Sequence, residues 1–101
     1  MKRPVPVQSR IAAVRIGENL TTWRKLLGLT SQQVAERAAV SRATVSRLEN
    51  GDSSVSFATF LNVCRALQTL DPVVEATDPY ETDLGRARAD QQLPQRVRKS
   101  S

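Results

Sequence analysis

The stretch at residues 30–51 constrains the fold of this chain more than any other. Thr30 and Ser41 each follow an apolar residue and precede apolar residues at helical spacing, so each hydroxyl can cap the start of a helix. Gln33 stands three residues after Thr30 and completes a capping box with it. Gly51 suits the left-handed backbone position that closes a helix. The stretch therefore predicts two short helices joined by a tight turn.

The link between the two helices consists of Ala39 and Val40 alone. A connection this short makes the helices cross at a steep angle and brings their apolar sides together. The residues that we expect to face inward are Val34, Ala35, Ala38, Val45 and Leu48.

The outer face of the second helix is then free of acids. Its residues recur at spacings of three and four, which places them in one stripe along the helix. Long donors beside short side chains, on a helix narrow enough for the DNA major groove, are typical of a surface that reads base edges. The stripe consists of Arg42, Ala43, Ser46, Arg47 and Asn50.

The segment LTSQQVAERAAVSRATVSRLENG resembles the helix-turn-helix of the lambda-repressor-like family of DNA-binding regulators, also called the Xre or Cro family. The resemblance extends over about residues 16–70. It implies an all-α fold with a compact five-helix DNA-binding domain. On that basis we expect an N-terminal arm at residues 1–8, the helix-turn-helix domain at residues 9–77, and a C-terminal extension at residues 78–101 that holds a short helix and a basic tail.

Both ends of the chain admit two interpretations. The arm contains Pro4 and Pro6 and no helical period, so it is either a disordered terminus or a segment that lies along phosphates. The basic tail is either solvated or in contact with a partner or with DNA.

The resemblance also implies which residues contact DNA. Arg42 and Arg47 are expected at base edges, because a guanidinium can donate two hydrogen bonds to guanine. Ala43 and Ser46 are short enough to lie beside them and also belong to the base-reading set. The expected contacts to the DNA backbone come from Arg24, Ser31, Gln32, Gln33, Ser41, Thr44, Asn50 and Ser53.

Two details of this set come from the family pattern. Many relatives carry a glutamine at the position of Ser31, where it grips a phosphate. Here either Gln32 takes over that role or Ser31 makes a shorter contact. In similar proteins an arginine at the position of Arg24 pairs with a glutamate at the position of Glu49, so we expect a partly buried ion pair between these residues rather than two solvated charges.

Further helices are expected on either side of the motif. The first covers residues 11–27 and ends at Gly28, with Trp23 as the main aromatic residue of the core. Ser56 should cap a helix at residues 57–67, although its hydroxyl could also donate to a phosphate, as those of Ser53 and Ser54 could. The expected inward faces of the two helices are Ile16, Leu20, Trp23 and Leu27, and Phe57, Phe60, Leu61, Cys64 and Leu67.

The chain then continues into two shorter helices. We expect the fifth helix to begin with Asp71 as N-cap and Pro72 at the first helical position, and to run to about Ala76. This helix should complete the core and offer Val73 or Val74 to a second subunit. A last helix is expected at residues 82–92, ended by Pro94.

Charge and composition favour a nucleic-acid ligand and exclude several kinds of chemistry. The formal charge is +5, and residues 9–70 carry eight basic against four acidic side chains. Without histidine and with Cys64 as the single cysteine, the usual nitrogen and sulfur metal sites and a nucleophile paired with histidine cannot be assembled. We therefore expect no catalysis, no metal and no cofactor.

The chain also lacks a long apolar run, a secretory leader pattern and a second cysteine, which together favour a cytoplasmic protein without a membrane segment. We expect it to bind double-stranded DNA as a homodimer on two half-sites. Either it is a stand-alone repressor, or it is a HipB-like antitoxin that represses its own operon and binds a kinase-like toxin, as the tail ending in LPQRVRK resembles such proteins. A protein-interaction module without DNA binding is the rival from another class, and the basic outer helix face argues against it.

Overall fold

The computed structural model describes residues 3–92, and within these residues every regular element is helical. The all-α prediction is confirmed. The chain divides into two units, one up to Leu70 and one from Asp71 onward. The helices are α1 (Val7–Leu26), α2 (Ser31–Ala38), α3 (Arg42–Glu49), α4 (Phe57–Ala66), α5 (Leu70–Ala76) and α6 (Asp83–Gln92), and a 3-10 turn spans Pro79–Glu81.

The predicted capping residues start both motif helices and close the second one. The Thr30 hydroxyl accepts a hydrogen bond from the Gln33 amide at 3.0 Å, and the Gln33 side chain accepts one from the Thr30 amide at 2.9 Å. Ser41 caps α3 through the Thr44 amide at 3.0 Å. Gly51 adopts a φ of +84° one residue after the C-cap of α3. The capping box and both helix starts are thus confirmed.

The turn between α2 and α3 depends on one left-handed residue. Ala39 has a φ of 58° and reverses the chain after α2, and its amide donates to Glu36 O at 3.3 Å. The turn brings α2 and α3 into contact, and α2 also packs against α4. The five inward residues of the two motif helices are all buried, as predicted: Val34, Ala35, Ala38, Val45 and Leu48.

Helix α1 begins earlier than the sequence indicated. It starts at Val7, so residues 7 and 8, which the prediction placed in an extended arm, are its first residues. Pro6 is the N-cap, with an extended ψ of 150°, and the Arg10 amide donates to its carbonyl oxygen at 3.0 Å. Proline suits this N-cap position. The backbone of an N-cap is extended, and its amide donates no hydrogen bond within the helix, so the missing N–H of proline is not a loss.

The face that α1 buries is also rotated from the predicted one. Trp23 is 46% exposed and Ile16 is 42% exposed, so Trp23 is not the central aromatic residue of the core. Leu20 is buried, as predicted, and Gly17, which the prediction omitted, is buried as well. A Cβ atom on Gly17 would lie 2.5 Å from the carbonyl oxygen of Glu49. This close approach of α1 to the end of α3 requires glycine and sets the rotation of the helix.

Helix α4 supplies the other half of the core. Cys64 and Leu67 are fully buried, as expected, and Val63, which the prediction omitted, is buried as well. Phe57 is 71% exposed, which corrects its assignment to the core. Its ring stacks on Phe60, with centroids 6.4 Å apart, and both line an open groove of about 470 Å³. Ser56 caps α4 by accepting from the Thr59 amide at 3.1 Å, as predicted.

Helix α5 differs from the prediction in its start and in its packing. It begins at Leu70, so Asp71 lies within the first turn and is not the N-cap. Pro72 is tolerated there because the amides of a first turn have no partner inside the helix. No residue of α5 is buried, so this helix does not complete the core.

The second unit holds a small structure of its own beyond α5. Asp78 accepts from the Tyr80 amide at 2.9 Å and caps the 3-10 turn, and Thr82 accepts from the Gly85 amide at 2.9 Å at the start of α6. Helix α6 packs against the turn where Gly85 meets Pro79. The predicted stop at Pro94 and the basic tail lie outside the described residues. No helix among residues 3–92 is long and apolar enough to span a membrane.

Candidate nucleic-acid interface

The outer face of α3 presents the five residues that the sequence placed in one stripe. Arg42, Ala43, Ser46, Arg47 and Asn50 are all exposed. The opposite side of the helix is fixed by Val45 and Leu48, which are buried against the rest of the unit. The buried residues therefore fix the rotation of α3 and keep the stripe on its exposed side.

Arg47 is bonded to the loop that follows α3. Its Nε donates to Oδ2 of Asp52 at 2.8 Å, and its Nη2 donates to Oγ of Ser54 at 3.0 Å. The Ser54 hydroxyl donates in turn to Oδ1 of Asp52 at 2.6 Å. The guanidinium of this expected base reader is thus held in an exposed ring of three side chains.

Asp52 is the centre of this ring. Its carboxylate accepts from the Ser54 hydroxyl, from Arg47, and from the Ser54 amide at 2.9 Å. These bonds favour the charged form, with the Ser54 hydroxyl as the largest cause and Arg47 next, and they lower the pKa of Asp52 to about 2. The carboxylate is therefore ionised throughout the physiological pH range.

The expected ion pair between Arg24 and Glu49 is present. Nε and Nη2 of Arg24 donate to the two carboxylate oxygens of Glu49 at 2.8 and 3.2 Å, and Nη1 donates to Leu29 O at 3.2 Å. The side chains are 15% and 9% exposed. The hydrogen bond to Glu49 raises the pKa of Arg24 against the opposing effect of burial. The pair ties α1 to the C-terminal end of α3.

The residues at the start of α2 have different partners. The Gln33 side chain is used in the capping box, and Nε2 of Gln32 donates to Oε2 of Glu36 at 3.2 Å. Ser31 is half-buried and follows the cap directly. Because Thr30 satisfies the Gln33 amide, the amides of Ser31 and Gln32 are the ones left for an external acceptor.

The remaining polar residues of the predicted set lie at helix ends or in the loop. The hydroxyls of Ser41 and Thr44 are 2.8 Å apart and bond to each other. Asn50 is the C-cap of α3 and is exposed, and Ser53 is exposed in the loop before α4.

Sequence reasoning missed Gly17, Arg65 and Asp52 at this surface, and it considered Ser54 as a phosphate donor rather than as a partner of Arg47. Gly17 sets the approach of α1 to α3, and an isolated glycine inside a helical pattern was the available signal. Arg65 donates from Nη2 to Arg37 O at 2.9 Å, at the end of α2. Asp52 and Ser54 bind Arg47, and the short sequence distance between an acid and a basic residue was the only hint of it.

Cys64 is buried and takes no part in this surface. Burial raises the pKa of the Cys64 thiol, and the thiol lies in the core, away from solvent. Among residues 3–92 no group of three or more histidine, cysteine, aspartate or glutamate side chains is arranged to hold a metal ion.

The family of the helix-turn-helix domain matches residues 15–77, which is more than half of the chain and includes α2, the turn and α3. No curated protein and no solved structure matches the chain.

Proposed function

The chain belongs to the helix-turn-helix domain family, and from this premise we propose that it is a transcriptional regulator that binds operator DNA sequence-specifically, as a repressor. The proposal rests on the outer face of α3. Five neighbouring residues are exposed there, two of them arginines and none an acid. A helix with this face fits the major groove, where arginine reads guanine.

Within this proposal the two faces of the site have different tasks. Arg42 and Arg47, with Ala43 and Ser46 between them, lie at base edges. The DNA backbone is met by the start of α2, where aligned amides favour an anion, by Arg24 on α1, and by the hydroxyl and amide groups around α3 and the loop after it. The residues in this second group are Arg24, Ser31, Gln32, Gln33, Ser41, Thr44, Asn50 and Ser53.

The geometry favours Ser31 over Gln32 as the residue that replaces the glutamine of the family. The side-chain amide of Gln32 already donates to Glu36, and the Glu36 carboxylate beside it would repel a phosphate. Ser31 precedes it on the first turn, next to the amides that remain available. We therefore assign the shorter contact to Ser31.

A single recognition helix reads only a few base pairs, so the proposal includes a homodimer on two half-sites. Val74 is 60% exposed and offers apolar surface for such a contact. Operator binding also places the protein in the cytoplasm. The antitoxin alternative depends on the tail, which lies outside the described residues, and co-purification of a kinase-like partner would support it.

The experiment that tests the proposal is a selection from random double-stranded DNA with the full chain, followed by binding titrations at increasing salt. A regulator of this kind enriches one motif, symmetric about a centre, with half-sites about ten base pairs apart. Affinity should fall steeply as salt rises, because bound counterions are released. A protein-interaction module would enrich no motif and would not bind DNA at low salt.

A further inference from the structure

The two bonds that Arg47 makes occupy one edge of its guanidinium. This group has five N–H donors in a planar fork. Nε and the neighbouring hydrogen of Nη2 form the side edge, which Asp52 and Ser54 take. Within residues 3–92 Nη1 has no hydrogen-bond partner, so Nη1 and the outer hydrogen of Nη2 remain as two parallel donors at the tip.

The ring is itself fixed by the backbone of the loop. The Asp52 amide donates to Arg47 O at 3.0 Å, and the Ser54 amide donates to Oδ1 of Asp52 at 2.9 Å. The Ser54 hydroxyl has one proton, which it gives to Asp52, and its oxygen accepts from Arg47. Every bond in the ring therefore has one donor and one acceptor, and the carboxylate cannot move away from Arg47 without breaking several bonds.

Two parallel donors at the tip of an arginine match O6 and N7 of guanine. Resting on the proposed function, we infer that Asp52 and Ser54 are positioning residues that orient Arg47 so that its free edge meets a guanine. Neither residue touches the base. They act by ordering a long side chain before DNA binds, which reduces the conformational entropy that is lost on binding.

The same contacts could have the opposite effect, in which Asp52 competes with DNA for Arg47. The negative charge of Asp52 also repels phosphates, whatever the base sequence. Orientation changes the affinity for the selected site, whereas charge changes the affinity for every sequence. The ratio of the two affinities therefore separates the two effects.

Ser54→Ala removes one bond to Arg47 without changing the charge. It should lower the affinity for the selected site about 2- to 10-fold, the effect of ordering one flexible side chain on binding. The preference for guanine at the position read by Arg47 should fall with it, and the affinity for random DNA should stay the same. Random and selected DNA weakened alike would contradict the orienting role of Ser54.

Asp52→Asn keeps the shape of the side chain and removes its charge. The affinity for random DNA should rise, because one repulsive charge is lost, while the ratio of selected to random affinity should fall. Glu18→Gln makes the same charge change on the exposed side of α1 and should leave this ratio unchanged. A rise in both affinities by the same factor for Asp52→Asn would leave only the charge effect, and a rise in their ratio would make Asp52 a competitor for Arg47; either result would overturn the inference.

The decisive readout repeats both substitutions in an Arg47→Ala background, with circular dichroism to establish that each variant is folded. Because Asp52 and Ser54 act through Arg47, their effect on the affinity ratio should vanish there. An effect of unchanged size in that background would overturn the inference. A wild-type protein that prefers no sequence would overturn the proposed function itself, which is a separate result.

Discussion

Gly17 of α1 lies so close to the carbonyl oxygen of Glu49 at the end of α3 that an added Cβ atom would stand 2.5 Å from it. The Leu48 carbonyl oxygen would be 2.7 Å away. The obstacle on α3 is backbone, which cannot rotate aside as a side chain could. The orientation of the proposed recognition helix against α1 therefore depends on a residue without a side chain.

Gly17→Ala should accordingly destabilise the protein. Alanine favours a helix over glycine by about 1 kcal/mol, but the clash forces α1 and α3 apart, and overpacking of this kind costs about 1 to 3 kcal/mol. We expect a net loss in the free energy of unfolding, measured by urea denaturation. Asn19→Ala, at an exposed position of the same helix, is the control and should be neutral or stabilising. Equal or greater stability for Gly17→Ala would show that the two helices are not in close contact.

The pair of Arg24 and Glu49 should behave as a coupled unit. Either Arg24→Ala or Glu49→Ala leaves a mostly buried charge without its partner and should lower the free energy of unfolding by about 1.5 to 3 kcal/mol. The double variant should lose clearly less than the sum of the two single losses. Additive losses in this double-mutant cycle would mean that the two charges are independently solvated.

Features of the fold and of the site could be predicted from the sequence where the interacting residues are close together in the chain. The hydroxyl of Thr30 bonds within its own first turn, so its role follows from neighbouring residues. The rotation of α1 does not, because several apolar residues lie on different sides of that helix and the sequence pattern favoured the side with Trp23. The rotation of α1 is determined by the contact of Gly17 with α3, which is far away in the sequence. The bond between Arg47 and Asp52 likewise depends on the path of the loop after Gly51.

Asp52 should give stability a specific dependence on acid pH. Its pKa lies at about 2, against an ordinary value of 3.8. A lowered pKa stabilises the folded state above the unfolded pKa, and this contribution is lost as the pH falls from about 4 to about 2. The stability difference between wild type and Asp52→Asn, measured by thermal unfolding from pH 5 downward, should shrink over that interval. Ser54→Ala removes the largest cause of the low pKa and should move the loss to higher pH. A constant difference across this pH range would contradict the ring of bonds around Asp52.

The start of α2 offers a test of the backbone contacts. Ser31→Ala should weaken binding to selected and random DNA by the same factor, because phosphate contacts carry no sequence information. Gln32→Ala should have a smaller effect, since the side-chain amide of Gln32 is engaged by Glu36. Titration of selected and random DNA with each variant measures the two affinities. The reverse order of effects would assign the role of the family's glutamine to Gln32.

The most direct test of the proposed function is the affinity of Arg47→Ala for its selected site and for random DNA. The proposed role predicts a loss of about 1 to 3 kcal/mol on the selected site and a flattened base preference at one position. Arg15→Ala removes the same charge from an exposed position on α1 and should leave the base preference intact. Equal losses on selected and random DNA for Arg47→Ala would contradict base reading by α3.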